Sequence, residues 1–556
     1  MEKRRLNLLI KKEWNILNKS PGADIIKSTL AARGIKDMVH FLQPRVEDLL
    51  PLTDFDNIEK AAEIVIQAIN EKKRIHIIPD VDVDGVTSGC IIYQFLSFFT
   101  DSITWSINTG KVHGLSGQDL ESYVGNYDLV IAVDSSSEDI EQQQFLKENG
   151  IKVVILDHHP AKHSKYATIV NCQMGDYKNR HLSGSAVTFK FVKYLDELLE
   201  TNYSDAFWDL ATVGLIGDAM PVGEENTENR YICSKGFASL TNVALKQIIG
   251  DYKFNGTAVS YSIAPLVNAA QRMNRNHLAF ELMIENDKKK CKKIIDEIKE
   301  LKVIQNMQKD KLVDDLTFTI KANELNKQKA ICLLVDEVKN DNSGDIIGLT
   351  GNILSADYMM PVIIVHPIED GEKLRGSIRG FGIKSFKDVV NSTKLVVFCQ
   401  GHDNAAGIEL YAENWEKLIV AINKKLAKVE FKVEQTVDVI LKPHQITVDL
   451  IKKMEYINTI SGKDFDPIKV AIEGIEPIDV TSMQSKHVKF SNEDIEFLKW
   501  NSFGELSNFI CHTEGIYRTC DVLGSMSMSK FRGKTKKQMV IQDTRNFQDN
   551  LEFLRG

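Results

Sequence analysis

From Arg74 to His159 the chain alternates short, continuously apolar runs with longer segments that are apolar on one side only. The runs are RIHIIPD (74–80), YDLVIAVD (127–134) and KVVILDHH (152–159). Strands apolar at successive positions are buried on both faces, and helix-length spacers between them predict a parallel sheet with helical crossovers. Upstream, DIIKSTLAARGI, MVHFLQP and NIEKAAEIVIQAINEKKR carry apolar residues at helical spacing, which predicts a helical leader. FWDLATVGLIGDAMPV, near 207–222, begins a further helical region. Within that region, DKKKCKKIIDEIKELKVIQNMQKDKLVDDL (287–316) sets Cys291, Ile294, Ile295, Ile298, Leu301 and Ile304 on one face of a long helix, the form of a connector between two lobes. KAICLLVDE, MMPVIIVHP and KLVVFCQGHDNAAGIEL predict a second α/β unit, and FKVEQTVDVIL, KVAIEGIEPIDV and KQMVIQD a small β-rich domain.

The expected fold class is therefore α/β, with two α/β domains joined by a long helix and a β-rich domain at the C-terminal end. The expected divisions are a helical leader (1–70), a parallel-sheet domain (71–235), a helical region with the connector (236–325), a second α/β domain (326–430) and the β-rich domain (431–556). A length of 556 residues allows three or four full-sized cores. No apolar run reaches the roughly 18 residues of a membrane span, and MEKRRLNLLIKKEWN lacks the apolar core of a signal peptide. Eight cysteines stand singly with no C-x-x-C pair, which fits reduced thiols in a cytoplasm and argues against a zinc ribbon. The net charge of −8 does not advertise a nucleic-acid binder, but such binding needs only a local basic surface. The best local candidate is SKFRGKTKKQM, where Lys530, Arg532, Lys534, Lys536 and Lys537 surround Phe531; a solvated turn has the same composition.

All three apolar runs of the first sheet end in an acid: Asp80, Asp134 and Asp157. In an open parallel sheet, ligands bind outside the carboxyl ends of the strands, so three strands deliver carboxylates to one edge. Asp82 and Asp84 follow the first strand, and His158 and His159 follow the third. Unpaired, such a cluster repels itself and raises its own pKa values; divalent cations resolve the conflict. Mixed carboxylate and imidazole ligands suit manganese better than a pure magnesium cage. Taken singly, DVDVDG also fits a helix cap with a turn, and a His-His pair beside an aspartate is commonly incidental. Together, on neighbouring strand ends, they favour a metal centre.

These residues resemble a known family. DVDVDGVTS, VIAVD and VVILDHHP look like successive motifs of the DHH phosphoesterases, and the match is most similar to the RecJ single-strand-specific exonucleases. LAARGIKDMVHFLQP, LSGSAVTFKF, LATVGLIGDAMPVGEENTENR, IAPLVNAAQRM, RGSIRGF, CQGHDNAAG and GSMSMSKFRGKTKKQMVIQD extend the likeness over nearly the whole chain. The resemblance implies a DHH catalytic domain, a DHH-associated domain and an OB-like nucleic-acid-binding domain. It implies metal ligands at Asp80, Asp82, Asp84, Asp134, His158 and Asp218, and catalytic roles for His159, Asp134 and Asp218. It implies phosphate contacts from Arg272, Ser377, Arg379 and His402, with Phe531 and Arg532 as strand contacts.

The expectation is a two-metal 5′-to-3′ exonuclease on single-stranded DNA, releasing nucleoside 5′-monophosphates in repair or recombination, with manganese preferred and magnesium as the alternative ion. RNA is the alternative strand, and a single-strand-binding protein or a helicase is a candidate partner. Rival readings are a DHH phosphodiesterase of short oligonucleotides or cyclic dinucleotides, and a catalytically silent replication or repair scaffold. The 125 or so residues after 431 argue against the first, and the complete acidic set against the second. Departures from the family pattern are Ser135-Ser136-Ser137 after Asp134, Gln271 before Arg272, Gln400 in the usual Gly-Gly-His, and no arginine near Asn108. They mark a divergent member and bear on strand grip and substrate length.

Overall fold

The computed structural model describes residues 12–110, 112–335, 343–510, 513, 516–531 and 534–551. The region expected to be wholly helical opens with a strand, β1 (Lys12–Ile16), parallel to Val433–Val437 with Lys12 opposite Val433. No local signal marks KEWNI as a strand, because its partner lies at the far end of the chain. Helices Ile25–Ala32, Met38–Leu42 and Ile58–Asn70 follow as the periodicity predicts. Asp24 and Asp37 cap the first two through backbone N–H groups three residues on.

The first sheet is all parallel: β2 (Ile75–Pro79), β3 (Ile103–Trp105), β4 (Leu129–Val133), β5 (Lys152–Asp157) and β6 (Thr168–Asn171), in the order β3-β2-β4-β5-β6. Alternate residues enter two cores. Ile75, Ile77, Leu129, Ile131, Val154 and Leu156 pack under helices Ile58–Asn70, Val83–Leu96 and Gly184–Leu199. Ile78, Val130, Ala132, Val153 and Ile155 pack on the other face with Leu115 and Leu146. The chain leaves β2 to one side for β3 and returns on the other for β4. That reversal opens a crevice at the carboxyl ends of β2 and β4, the place where this architecture binds ligands.

Beyond helices Trp208–Gly217 and Ala264–Arg272 runs the connector, Lys288–Ala322, 35 residues and about 50 Å long. Cys291, Ile295 and Ile298 bury into the first core, and Leu316 and Ile320 into a second. The single apolar face expected through Ile304 ends earlier: Ile304 is 45% exposed and Val303 58%. The second lobe holds β7 (Ile331–Leu334), β8 (Val362–Ile368), β9 (Lys373–Arg379), β10 (Phe398–His402) and β11 (Ala405–Tyr411), ordered β10-β11-β9-β8-β7. Helix Ser343–Tyr358 covers one face and Trp415–Leu426 the other.

After β12 (Val433–Val437) come β13 (Val439–Leu441), β14 (Val470–Ile475), β15 (Ile478–Met483), β16 (His487–Asn492), β17 (Ile495–Lys499), β18 (Ile516–Phe531) and β19 (Lys534–Leu551). They form a seven-stranded sheet, β13-β14-β18-β19-β17-β16-β15, dominated by the long β18–β19 hairpin. This β-rich part shares its core with the first lobe, through Leu441, Ile451, Met454 and Val522. The seven described cysteines are buried free thiols. Among the described residues, no helix is long and apolar enough to cross a membrane.

Candidate metal centre

The strand-end acids meet in the crevice between β2 and β4. Asp80 ends β2 and is 3% exposed. Asp82 caps helix Val83–Leu96, its Oδ1 accepting from the Asp84 and Gly85 N–H groups at 2.9 and 3.1 Å. The cap and the metal reading thus coexist, because Oδ1 serves the helix and Oδ2 is left over. Gly85 permits the turn: a Cβ there would lie 2.5 Å from Asp80 backbone atoms. Asp84 is fully buried and accepts from the Gly184 and Ser185 N–H groups at 2.6 and 3.0 Å, at the start of a second helix. Two helix N-termini therefore converge on the carboxylates.

Asp134 follows β4 with φ +61°, is 2% exposed, and leaves Oδ1 buried without a hydrogen bond. Asp218 caps the C-terminal end of helix Trp208–Gly217, where a carboxylate faces the negative end of the helix dipole. His158 Nε2 lies 3.3 Å from Asp134 Oδ1, 3.5 Å from Asp218 Oδ2 and 3.9 Å from Asp84 Oδ2. Three groups bring their ligating atoms within 4.8 Å of one another: Asp80, Asp82 and Asp134; Asp84, His158 and Asp218; and Asp134, His158 and His159. Asp134 belongs to two of them.

Burial, with the charges of Asp80 and Asp84, pushes the Asp82 carboxyl up to about 6. Burial, with Asp84 and Asp82, pushes Asp218 up to about 8, and burial and the same neighbours raise Asp134 strongly. Burial holds the His158 imidazole below its ordinary value, which keeps it neutral and able to ligate. A site of mutually repelling carboxylates with an orphaned oxygen and a neutral imidazole fits divalent cations.

Asp157 does a different task from the other acids. It is fully buried, accepts from the His158 and His159 N–H groups, and pairs with His159 Nδ1 at 2.8 Å. That bond raises His159 to about 9 against the pull of burial. It also helps hold Asp157 down at about 2, although burial pushes the other way.

Sequence reasoning missed His113, whose Nδ1 lies 2.8 Å from Asp80 Oδ2 and whose side chain is 58% exposed. It stands in the loop GKVHGLS, without a flanking pattern to mark it. Gly184 was missed as well: a Cβ there would sit 2.3 Å from Asp134 Oδ1. Of the departures, Ser136 takes φ +75° and its Oγ accepts the Leu115 N–H at 2.9 Å, so serine carries a left-handed turn here.

On the second lobe, β-register aligns Arg379, Ala405 and His402 across three strands, with Ser377, Gly407 and Gln400 in a second row on the same face. Gln400 thus lies across Gly407 from Ser377. Arg379 donates to Ser377 Oγ and Asn352 Oδ1, each at 2.6 Å. Arg272 ends helix Ala264–Arg272, which packs on the connector. Lys530, Lys534, Lys536 and Lys537 lie on the paired ends of β18 and β19, where Lys536 and Lys537 face Glu496 and Asp494 at 3.6 and 2.7 Å. The Phe531 backbone closes β18 opposite Lys534, and Arg532 lies outside the described residues. Glu228 and Arg230 stay away from the centre: Glu228 is buried against Lys190 and Tyr177, and Arg230 donates to the Phe41 carbonyl.

Residues 74–215 match the DHH family, N-terminal domain, and residues 437–543 match the RecJ OB domain. The chain is 26% identical, over 95% of its length and 96% of the relative's, to the SPbeta prophage-derived protein YorK of Bacillus subtilis (strain 168), named as a single-strand DNA-specific exonuclease. It is 26% identical to the single-stranded-DNA-specific exonuclease RecJ of the same organism, covering 96% of this chain and 69% of that one. The crystal structure of RecJ in complex with Mn2+ from Thermus thermophilus aligns with 96% of this chain and 80% of its own, with a TM-score of 0.73 at 21% identity, which shows a shared fold.

Proposed function

We propose that this chain, which carries a DHH-family N-terminal domain and a RecJ OB domain, is a metal-dependent exonuclease acting on single-stranded DNA from the 5′ end. The observation that carries this reading is the gathering of Asp80, Asp82 and Asp134, and of Asp84, His158 and Asp218, into neighbouring ligand groups at the switch point of the sheet. Asp80, Asp82 and Asp134 would hold one divalent cation, and Asp84, His158 and Asp218 the other. Such a pair, manganese first and magnesium as the alternative, supplies a nucleophilic water at neutral pH and neutralises charge on the phosphate oxygens. His159, carrying its proton through the Asp157 hydrogen bond, offers a cation to the scissile phosphate.

Ser377, Arg379 and His402, on one face of the second-lobe sheet, with Arg272 of the first lobe, would hold a terminal 5′-phosphate and so set polarity. Nucleoside 5′-monophosphates are then the products, and DNA repair or recombination is the setting. A single-strand-binding protein or a helicase is the natural class of partner. Buried free cysteines support a reducing, cytoplasmic location.

The test incubates the purified protein and Mn2+ with strands labelled at either end, with and without a 5′-phosphate, beside duplex and circular strands. Mononucleotides released first from the 5′ end of linear single strands, and none in chelator, are expected. Early release of the 3′ label or cutting of circles would refute the polarity, and full activity in chelator the metal dependence.

A further inference from the structure

The acids of the centre are held by donors of two kinds. Asp82 and Asp84 accept from backbone N–H groups at the starts of helices Val83–Leu96 and Gly184–Leu199, which any sequence folded this way would supply. Asp80 is held instead by a side chain: His113 Nδ1 lies 3.0 and 2.8 Å from its two oxygens. The two partners differ in setting, since Asp80 is 3% exposed and the His113 side chain 58%. A histidine filling a gap in a core would be buried, and one making a surface ion pair would meet an exposed acid. His113 does neither. It reaches from the loop after β3 to a buried acid of the centre.

That loop is built to put it there. Asn108 donates from Nδ2 to the Gly114 carbonyl at 2.8 Å and accepts at Oδ1 from Gln118 Nε2 at 2.6 Å, which closes the loop on itself. Asn276 Nδ2 ties the Gly110 carbonyl to helix Asn276–Ile284 at 2.9 Å. On the other side, the Leu115 N–H meets Ser136 Oγ and Asp139 Oδ2, at 2.9 and 3.0 Å, in the turn after β4. Gly114 permits this approach: it takes φ +64°, and a Cβ there would come within 2.6 Å of Ser136 Oγ. Ser136 itself takes φ +75°, a conformation easier for glycine, so its hydroxyl is what explains a serine here. The clasp between Leu115 and Ser136 lies two residues beyond His113 on one side and two beyond Asp134 on the other. It therefore couples the loop that seats Asp80 to the turn that carries Asp134, and these two acids share one ligand group.

We propose that His113 is a positioning residue for the divalent cation of the Asp80, Asp82 and Asp134 group, seated on Asp80 by the clasp between Leu115 and Ser136. The assignment rests on the metal reading of the centre above and adds to it a residue outside the ligand set. A ligand carboxylate already held in one orientation has less freedom to lose when an ion binds. Removing such a partner weakens metal binding by about ten- to a hundredfold.

The experiment titrates Mn2+ into the metal-free protein and follows binding by calorimetry, with no substrate present, so the readout is independent of turnover. The parent protein should take up two ions. His113→Ala should weaken one of them about tenfold and leave the other as in the parent. His113→Asn, whose amide can place an N–H where Nδ1 stands, should recover most of the loss. Ser136→Gly removes the clasp hydroxyl while suiting the backbone, so it should weaken the same ion with its Tm in chelator close to the parent's. Parent-like or tighter Mn2+ binding in His113→Ala, or a loss that His113→Asn shares in full, would overturn the assignment and leave the metal reading in place. A parent protein that takes up no Mn2+ would bring down the metal reading and this assignment with it.

Discussion

At Asp134 three unfavourable circumstances coincide: a left-handed backbone at φ +61°, nearly complete burial, and an Oδ1 without a hydrogen bond. Strain of this kind persists only where the surroundings over-determine it. Its neighbour Asp218 offers the cleaner measurement, because burial and the charges of Asp84 and Asp82 push it up to about 8. An unfolded aspartate releases its proton near 4. Between about 4 and 8 the folded chain therefore binds more protons than the unfolded one, and stability falls as pH rises through that window. In chelator, the Tm should decline from about pH 5 to pH 8, and Asp218→Asn should flatten the decline. Mn2+ should raise Tm most at the upper end, where ligation no longer has to displace protons. Thermal melts across this range check both; parallel slopes in the parent and Asp218→Asn would rule Asp218 out as the titrating group.

At the scale of elements, the start of helix Gly184–Leu199 does as much for the centre as any ligand. Its first two N–H groups hold Asp84, and the missing side chain of Gly184 leaves room for Asp134. Gly184→Ala should cut hydrolysis about a hundredfold or more through a displacement of roughly 1 Å, while the circular dichroism spectrum stays that of the parent. Activity close to the parent's would show that the helix start tolerates a Cβ. The β18–β19 hairpin is an element of the opposite kind, carrying Lys536 and Lys537 toward the end away from the centre. Neutralising Lys534, Lys536 and Lys537 together should weaken binding of long single strands and leave dinucleotide hydrolysis nearly unchanged. Lys536 and Lys537 already face Glu496 and Asp494, so the salt slope should fall by less than the roughly 2 that three full phosphate contacts represent. An unaltered slope would reduce the run to a solvated turn.

Over the whole molecule, the β-rich part and the first lobe are one packed body, with Leu441, Ile451 and Val522 in the same core as Ile77 and Val133. Arg33 fastens the leader to this body by a two-pronged contact with Asp438, at 2.6 and 2.5 Å. Asp438 is 1% exposed, so removing its partner strands a buried charge. Arg33→Ala should cost about 3 kcal/mol, and adding Asp438→Asn should return part of that loss. Calorimetry should show the first lobe and the β-rich part melting in one transition; two separated transitions would contradict a shared core.

What the sequence determined by itself was local and periodic. Continuous apolar runs ending in aspartate sufficed for β2, β4 and β5, because strands buried on both faces need no partner to be recognised and parallel strands bring like ends together. The helical spacing of Cys291, Ile295 and Ile298 sufficed for the connector. The short edge strands β3 and β6, and β1, whose partner β12 lies at the opposite end of the chain, were decided only by tertiary pairing. The same holds for His113 beside Asp80 and Gly184 beneath Asp134. Each takes its meaning from a contact across the fold, and a contact made by bringing distant residues together leaves no period in the chain.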